Sequence, residues 1–304
     1  MIRWLSEAME SLYSRRNSLV LVLLAVAVAD CEKIITEDAD VAVDDGDVVL
    51  RFQHNSGDVT RAGNMAAYCS KLNVQLFDTD GQKVFATVKT QTSQDDDFGT
   101  MSLKLPAGTY TVVAVGHSCV KSATIKSPQA VQFTASDGEK LTDTFCHCSQ
   151  ITVSDETADH TLPMYRVCAM VQFIMEDEAV PTDFAYFKME YTGGSANFNP
   201  TTSEGITKSS QSENRPRNSL NIHQCYTFPY LSESCLLKMT CSATDSDGNI
   251  IRQRVFTDVP VTRNRITTYR GPFFGDGDGE FTQSDFSFVI HADWDGEDEY
   301  EYEF

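Results

Sequence analysis

The stretch "TMSLKLPAGTYTVVAVGH", residues 100–117, indicates the fold class. Its first part alternates, with Met101, Leu103 and Leu105 on one face. Residues 106–108 (Pro-Ala-Gly) then supply good turn chemistry before a second run that is rich in β-branched side chains. Alternation of apolar and polar residues is typical of a half-buried strand. The stretch therefore predicts two strands joined by a tight turn.

Similar signals continue on both sides of this stretch. Strand patterns bounded by turn residues cover 47–54, 71–90, 129–136, 148–154, 164–177, 184–194, 235–262, 265–274 and 285–294. The polar segment 155–162 indicates a break between two units, and the polar segment 197–219 indicates an exposed loop. No long helical period appears after residue 31. Many short strands without helices between them predict an all-β fold of two tandem β-sandwich domains, at 47–158 and 159–304.

The N-terminal segment indicates export. Eleven apolar residues, 19–29, follow Arg15 and Arg16. This run is too short to cross a bilayer as a helix, which needs about 20 residues. Basic residues followed by a short apolar core and small residues are typical of a secretory signal peptide. We therefore expect residues 1–30 to form a lipoprotein signal peptide, and the alternative is a buried helix within the fold.

The apolar run stops at Cys31, which is the candidate lipidation site. Val28 and Ala29 before this cysteine resemble the lipobox of bacterial lipoproteins, in which the thiol becomes acylated. Asp30 departs from that pattern, because the lipobox has Gly, Ala or Ser there. Several acyl chains on one cysteine would anchor the chain stably in lipid, and residues 31–46 would then form an acidic, extended tether. The alternative is cleavage by an ordinary signal peptidase near Ala29.

Charge and cysteine content limit the classes of partner. The chain has 44 acidic and 24 basic residues, for a net charge of −20 at pH 7. Such a charge repels nucleic acid, so we expect no nucleic-acid partner. Besides Cys31 the chain has eight cysteines, whose pairing the sequence leaves open between disulfides and buried free thiols: Cys69, Cys119, Cys146, Cys148, Cys168, Cys225, Cys235 and Cys241.

An ordered set of segments resembles a known family of bacterial surface proteins. The set consists of the lipobox with "CEKI", then "LNVQLFDTDGQKV", "LPAGTYTVVAVGH", "LPMYRVCAMVQFIM", "VPVTRNRITTYRGPFF" and "FSFVIHADWDG". It is similar to the fimbrillin-associated anchor family, the FimB- and Mfa-type lipoproteins of type V fimbriae. The resemblance implies two transthyretin-like (Greek-key) β-sandwiches and a surface-exposed lipoprotein of the outer membrane, anchored by palmitate or a similar chain on Cys31. It also implies a role as anchor or minor subunit of a fimbrium (pilus) in cell adhesion, with fimbrial shaft subunits as partners.

The resemblance also implies assembly by strand exchange. Fimbrillins of this type are thought to polymerise when a terminal strand of one subunit fills a groove in its neighbour, which is a form of β-augmentation. The candidate strand in this chain spans 285–294, with Phe286, Phe288 and Ile290 on one face. The alternative, which we favour, is that this strand completes its own domain.

A second function hypothesis is a stand-alone, lipid-anchored sandwich that binds a glycan or a host ligand. An aromatic strip on one sheet or at loop tips would favour it. Tyr226, Phe228 and Tyr230 alternate in "YTFPY" and are the candidate ligand-binding residues. These three aromatic side chains can equally be core residues.

The sequence offers little evidence of catalytic or metal chemistry. Two groups have suitable side chains for zinc or calcium, namely His117, Cys119, Cys146 and Cys148, and Asp276, Asp278 and Glu280. Core thiols and a plain turn are the simpler interpretations of these two groups. A nucleophile elbow, an HExxH motif and a phosphate-binding glycine loop are all missing from the sequence. We therefore expect a protein that is not an enzyme and that has no cofactor.

Overall fold

The computed structural model describes residues 45–55, 64–134, 141–154, 156–275, 286–291, 294 and 299–302. These residues form strands and one short 3-10 helix (Met65–Ala67), and they contain no α-helix. The first nine strands are β1 (Asp45–His54), β2 (Lys71–Phe77), β3 (Lys89–Thr92), β4 (Thr100–Pro106), β5 (Gly108–His117), β6 (Thr124–Ser127), β7 (Ala130–Gln132), β8 (Thr144–Val153) and β9 (Ala158–Arg166). The all-β fold class predicted from the sequence is confirmed.

The remaining strands follow in the second half of the chain. They are β10 (Ala169–Met175), β11 (Tyr186–Thr192), β12 (Asn197–Asn199), β13 (Glu204–Gly205), β14 (Gln211–Pro216), β15 (Ile222–Thr227), β16 (Ser234–Thr244), β17 (Ile250–Thr262), β18 (Ile266–Gly271), β19 (Ser287–His291) and β20 (Glu299–Tyr302). No helix among the described residues is long and apolar enough to cross a membrane.

Strand β5 lies in the middle of a seven-stranded sheet and is buried on both faces. The strand order of this sheet is β3-β2-β5-β8-β9-β1-β4. Val112 and Ala114 of β5 belong to one hydrophobic cluster, whereas Val113 and Val115 belong to another. A strand that is covered on both faces has a continuous apolar run instead of an alternating pattern. The two clusters therefore explain why residues 112–115 contain no polar side chain.

The seven-stranded sheet curls around the first of these clusters. The cluster includes Leu105 of β4, at one edge of the sheet, and Leu72 of β2, near the opposite edge. Strands so far apart in a flat sheet could not share one core, so the sheet must fold back on itself. Strand β9 joins the two parts, because it pairs in parallel with β1 along seven residue pairs and with β8 through only two, Phe145–Arg166 and Cys146–Tyr165.

The turn at residues 106–108 connects opposite parts of this sheet. Strand β4 pairs with β1, whereas β5 pairs with β2 and β8, so these consecutive strands do not form a hairpin with each other. The hydroxyl of Tyr110 donates a hydrogen bond to the carbonyl of Pro106 at 2.9 Å and holds the two strand ends together. The local prediction of two strands and a turn is confirmed, while their partners lie elsewhere in the chain.

The prediction of a break at residues 155–162 is wrong, because most of this segment belongs to β9. Its burial alternates: Asp159 and Thr161 are exposed and Leu162 is buried. Asp159 forms an ion pair at 2.9 Å with Arg51 on the neighbouring β1. The polar residues therefore form the solvent face of an interior strand. Residues Asp44–Phe304 form one compact unit. The predicted boundary between residues 158 and 159 stays a prediction.

The prediction of an exposed loop at residues 197–219 is also wrong, since β12, β13 and β14 lie there. Strand β14 has polar side chains on its inward face, which hides its alternation in the sequence. Gln211 and Glu213 are both buried, and the hydroxyl of Tyr191 lies 3.3 Å from a side-chain oxygen of each. The buried polar groups have hydrogen-bond partners, so this strand can close the edge of its sheet.

Two sheets in the second half of the chain share a core. One has the order β15-β10-β18-β19-β20, and the other has the order β14-β11-β16-β17. Their common cluster is rich in aromatic side chains, among which are Phe173, Phe187, Phe256, Tyr269 and Phe273. Two antiparallel or mixed sheets around one core form a β-sandwich. The hairpin predicted at 235–262 is confirmed by the pairing of β16 with β17.

A fourth, small sheet covers the outer face of β5. Its order is β13-β12-β7-β6, so it combines strands from both halves of the chain. Val113 of β5, Val131 of β7, Phe198 of β12 and Phe228 belong to one cluster under this sheet. Residues 1–44, which include the predicted signal peptide, Cys31 and most of the tether, lie outside the described residues, as do Asp276, Asp278 and Glu280.

Candidate functional site

A cleft opens beside β15, an edge strand of its sheet. The cleft has a volume of about 340 Å³. It is lined by Thr142, by residues 215–218 from the end of β14 and the following turn, and by residues 222–224 and 226 of β15. We call it the β15 cleft. Concave sites that combine apolar and aromatic surface with a few polar groups are typical ligand sites.

Tyr226 is the aromatic side chain of this cleft, and several contacts fix its ring. The ring is half-buried and stacks on that of Trp294, with centroids 6.0 Å apart and planes 16° apart. Its hydroxyl lies 3.5 Å from Oε1 of Gln224, whose Nε2 donates to Oε1 of Gln172 at 2.7 Å. Burial raises the pKa of Tyr226, so its hydroxyl remains a neutral hydrogen-bond donor near pH 7.

Arg215 closes the gap between the edge strands β14 and β15. Its Nε donates to the carbonyl oxygen of Gln224 at 3.2 Å, and its Nη2 donates to Oε2 of Glu213 at 2.8 Å. The carboxylate of Glu213 is fully buried, and only 15% of the Arg215 side chain is exposed. The buried carboxylate therefore balances the charge of Arg215, and the pair ties the two sheets together at this edge.

Arg217 differs from Arg215 because no carboxylate of the described residues pairs with it. The residue is exposed. Its Nη1 donates to the carbonyl oxygen of Pro181 at 3.3 Å, and its guanidinium carbon lies 5.7 Å from the centre of the Phe184 ring. The next residue, Asn218, stabilises the turn, because its Oδ1 accepts from the backbone N–H of Leu220 at 3.1 Å. The positive charge of Arg217 is thus held on an ordered turn and is open to solvent.

His223 is a buried polar residue at the cleft. It is 1% exposed, and neither ring nitrogen has a hydrogen-bond partner within the part of the chain that the structure describes. Its ring lies 4.7 Å from the ring of Phe187. Burial, together with the positive charge of Arg215, lowers the pKa of His223 to about 4. The imidazole is therefore neutral near pH 7.

Of the three aromatic residues predicted to bind a ligand, only Tyr226 lines the β15 cleft. Phe228 is fully buried and packs on Phe198 at a centroid distance of 4.7 Å, so it is a core residue. Tyr230 is half-buried, and the Lys208 ammonium lies 5.1 Å from the centre of its ring. The alternative interpretation of these aromatics as core residues therefore applies to Phe228.

The predicted strand-exchange residues lie in the terminal part of the five-stranded sheet. Strand β19 pairs with β18 on one side and with β20 on the other. Phe286 is 5% exposed and lies 5.3 Å from the Phe256 ring. Phe288 stacks on Tyr269 at 5.5 Å, and Ile290 is half-buried. In the isolated chain this strand therefore completes its own sheet, and strand exchange stays a proposal.

The eight described cysteines are all free thiols. Burial is the main cause that raises the pKa of each, and it does so most strongly for Cys146, Cys168, Cys225 and Cys241. The thiolate is the nucleophile and the metal ligand, so a raised pKa makes these side chains inert. They serve as small apolar groups of the core.

His117, which belongs to the group considered for zinc, has a structural role. Nε2 of His117 donates to Oδ1 of Asn73 at 2.8 Å, and its Nδ1 accepts from the backbone N–H of Cys119 at 3.1 Å. Burial lowers the pKa of His117 to about 4. Across the described ranges, no three His, Cys, Asp or Glu side chains are grouped in a way that could hold a metal ion.

Comparison with known proteins places this chain in a family. The model of the family of unknown function DUF6562 matches residues 40–303. This chain belongs to the DUF6562 family. No curated protein matches the DUF6562 chain.

Solved structures share the fold of this DUF6562 protein at low sequence identity. A DUF1812 protein from Bacteroides thetaiotaomicron, proposed to bind polysaccharide, is 10% identical, has a TM-score of 0.53 and covers 85% of this chain and 98% of its own. A proposed adhesin from the same organism is 14% identical, has a TM-score of 0.51 and covers 84% of this chain and 98% of its own. The fimbrial anchor protein Mfa2 from Porphyromonas gingivalis is 14% identical, has a TM-score of 0.45 and covers 81% of this chain and 96% of its own.

These likenesses bear on the resemblance predicted from the sequence. Among these structures the proposed adhesin shares the fold of the DUF6562 chain, which agrees with the resemblance of fold to the fimbrillin-associated family. Sequence reasoning missed Arg217, His223 and Gln224 of the cleft. The alternation around Tyr226 was a usable signal for β15. Arg217 follows β14, which the sequence predicted as part of a loop because its inward face is polar.

Proposed function

We propose that this protein is a cell-surface component of fimbriae, acting as an anchor or a minor structural subunit in adhesion. The observation that carries the proposal is the shared fold, which extends over 84% of this chain and 98% of a proposed adhesin from Bacteroides thetaiotaomicron. A fold alone does not define a function. The ordered set of fimbrillin-like segments in the sequence adds independent support.

The proposed assembly mechanism is β-strand complementation with fimbrial shaft subunits. The last strands of the chain, β19 and β20, lie at one end of the five-stranded sheet. Strand β20 is the end strand and β19 lies next to it, so the two strands could leave the sheet together without disturbing the other three. Main-chain hydrogen bonds would then supply affinity, and the alternating side chains Phe286, Phe288 and Ile290 would supply register.

The proposed location is the outer surface of the outer membrane. The acyl chains on Cys31 would insert into the lipid, and the part of the predicted tether that precedes β1, residues 31–44, would hold the folded part away from it. The proposal includes no catalytic activity and no cofactor. The inert thiols and the hydrogen-bonded His117 support this part of it.

Electron microscopy of the native cells, with and without this gene, tests the anchor role. Filaments attached to cells and filaments shed into the medium would be counted in both strains and in a Cys31→Ser strain. Loss of attached filaments together with accumulation of shed filaments is expected. Unchanged attachment in the deletion strain would contradict an anchor role. If the deletion strain loses attached filaments and the Cys31→Ser strain keeps them, lipid anchoring through Cys31 is contradicted, while the anchor role itself is not.

A matched pair of variants tests strand complementation. Ile290 lies on the proposed recognition face of β19, and Ser287 is exposed on the opposite face. Ile290→Asp should block incorporation of the protein into filaments, because it places a charge in the neighbour's groove. Ser287→Asp should leave incorporation unchanged. Equal incorporation of both variants would contradict strand complementation through β19.

A second candidate function is a stand-alone, lipid-anchored module that binds a glycan or a host ligand. The observation that favours it is the position of Tyr226 in the β15 cleft. Two results together would favour this candidate over the fimbrial one. Deletion of the gene would leave the filaments unchanged, and the purified protein would bind glycans.

A further inference from the structure

One positive charge of the β15 cleft has no carboxylate partner among the described residues. Three arginines lie in or near it. Arg166 pairs with Asp143 at 2.8 Å, and Arg215 pairs with the buried Glu213 at 2.8 Å. Arg217 has no such partner in the described part of the chain, and it is exposed in a chain of net charge −20. An anion is therefore the ligand group that this position favours.

The geometry of Arg217 suits a planar, bidentate anion. The Pro181 carbonyl accepts from one guanidinium nitrogen, and Phe184 lies beside the group at 5.7 Å. These contacts orient the guanidinium and leave its other N–H groups available. A guanidinium forms two parallel hydrogen bonds with a carboxylate, which makes this pair strong and directional.

The rest of the cleft suits a polyhydroxylated ring. A pyranose has a face of C–H groups and a rim of hydroxyls, so its sites combine an aromatic face with a few hydrogen-bonding side chains. Tyr226 supplies a ring held by Trp294, and Gln224 supplies an amide. Thr142 adds a further polar group. A volume of about 340 Å³ is at the low end of ligand sites, which limits the ligand to one or two rings.

We propose that the β15 cleft binds a carboxylated saccharide of the uronic-acid type, with the carboxylate on Arg217 and the sugar ring against Tyr226. This inference rests on the second candidate function, ligand binding, and names the class of ligand. Nucleic acid and phospholipid surfaces carry many anionic groups and fit poorly with a single free arginine. An acidic peptide would satisfy Arg217 but would make no specific use of an aromatic face.

Isothermal titration of the full chain, purified in detergent, with trigalacturonic acid tests the inference. The fully methyl-esterified trisaccharide is the matched neutral probe. We expect the acid to bind and the ester to bind at least tenfold more weakly, because the ester removes the charge-assisted hydrogen bonds. Arg217→Gln should weaken binding of the acid by roughly tenfold and leave binding of the ester unchanged.

Two further variants separate the roles of the cleft residues. Tyr226→Ala should weaken binding of both the acid and the ester, while Tyr226→Phe should retain most of the affinity because it keeps the ring. Arg270→Gln is the control, since Arg270 is exposed and pairs with Glu176 outside the cleft. It should leave binding unchanged.

The outcomes that would overturn the inference are distinct from one another. Equal affinity for acid and ester would overturn the role of Arg217 and would leave glycan binding in place. Binding of neither form at millimolar concentration would overturn the saccharide assignment. Equal competition by tetra-aspartate would indicate an acidic peptide instead. None of these outcomes affects the fimbrial proposal, whose measure is the attachment of filaments.

Discussion

Arg166 and Asp143 form a buried, bidentate ion pair. Nε and Nη2 of Arg166 donate to the two carboxylate oxygens of Asp143 at 2.8 and 2.9 Å. Nη1 of the same side chain donates to Oδ1 of Asn264 at 3.1 Å, and the guanidinium carbon lies 4.3 Å from the centre of the Trp294 ring. One side chain thus joins the end of β9, the segment before β8, the turn before β18 and a residue beyond β19.

We expect Arg166→Ala to lower the free energy of unfolding by about 3–5 kcal/mol. The Arg166 side chain is 3% exposed, so its removal leaves the Asp143 carboxylate without its partner in a largely dry setting. Urea unfolding of the purified protein measures the loss. Arg51→Ala is the control, because the Arg51–Asp159 pair is about half exposed on both sides and should contribute less than about 1 kcal/mol. Equal losses for the two variants would contradict the buried role of Arg166.

The stability of the protein should fall as the pH drops from about 6.5 toward 4. Burial lowers the pKa of His223 and of His117 to about 4 in the folded state, whereas an unfolded histidine titrates near 6.5. The unfolded state therefore binds more protons than the folded state in this window. The contribution of the two neutral histidines to the free energy of unfolding is fully present only above about pH 6.5 and is lost as the pH falls toward 4.

His223→Leu tests this dependence. The imidazole of His223 makes no hydrogen bond to any described residue, so replacement of this side chain loses none. The variant should lose less stability than the wild type between pH 6.5 and pH 4. Urea unfolding at several pH values measures the difference, and parallel curves for the two proteins would contradict the assignment.

Gly193→Ala should destabilise the protein more than Gly248→Ala. Both glycines have a positive φ, +107° and +87°, which costs a non-glycine residue about 1 kcal/mol. A Cβ on Gly193 would also lie 2.4 Å from the carbonyl oxygen of Leu236, whereas a Cβ on Gly248 would meet no atom within 4 Å. The backbone clash should add about 1–3 kcal/mol. Thermal unfolding of the two variants measures the difference in their melting temperatures. Equal melting temperatures would contradict the close approach of the Leu236 carbonyl to Gly193.

The described thiols should react with iodoacetamide in an order set by burial. Cys148 and Cys235 are half-buried and should react first. Burial holds the thiol pKa of Cys146, Cys168, Cys225 and Cys241 well above its usual value, so these four should react only on unfolding. Mass spectrometry of peptides at successive times gives the order. Disulfide-linked peptides from the freshly purified protein would contradict the free thiols.

Local strand signals were readable from the sequence, and strand partners were not. Residues 100–117 predicted two strands and a turn, which the structure has. The pairing of β4 with β1, and of β5 with β2 and β8, depends on residues far away in the chain. Segments 155–162 and 197–219 misled the prediction because their strands carry polar side chains on a solvent face or on a hydrogen-bonded inner face.

The candidate site was predictable only in part for the same reason. Alternation in "YTFPY" made Tyr226, Phe228 and Tyr230 the candidate ligand-binding residues. Nothing in the sequence indicated that a small sheet from both halves of the chain would bury Phe228. The free charge of Arg217 depends on the pairing of Arg215 with Glu213 and of Arg166 with Asp143. These pairings appear only once the strands are in register.

The parallel pairing of β1 with β9 has a consequence for the order of folding during synthesis. Residue 51 contacts residue 159, so β1 has no partner on that side until the ribosome has made β9. Until then β1 and β8 each present a free edge, and such edges readily pair with the wrong strand. Long-range pairing of this kind also slows folding. The seven-stranded sheet therefore cannot close around its core until β9 (Ala158–Arg166) has been synthesised.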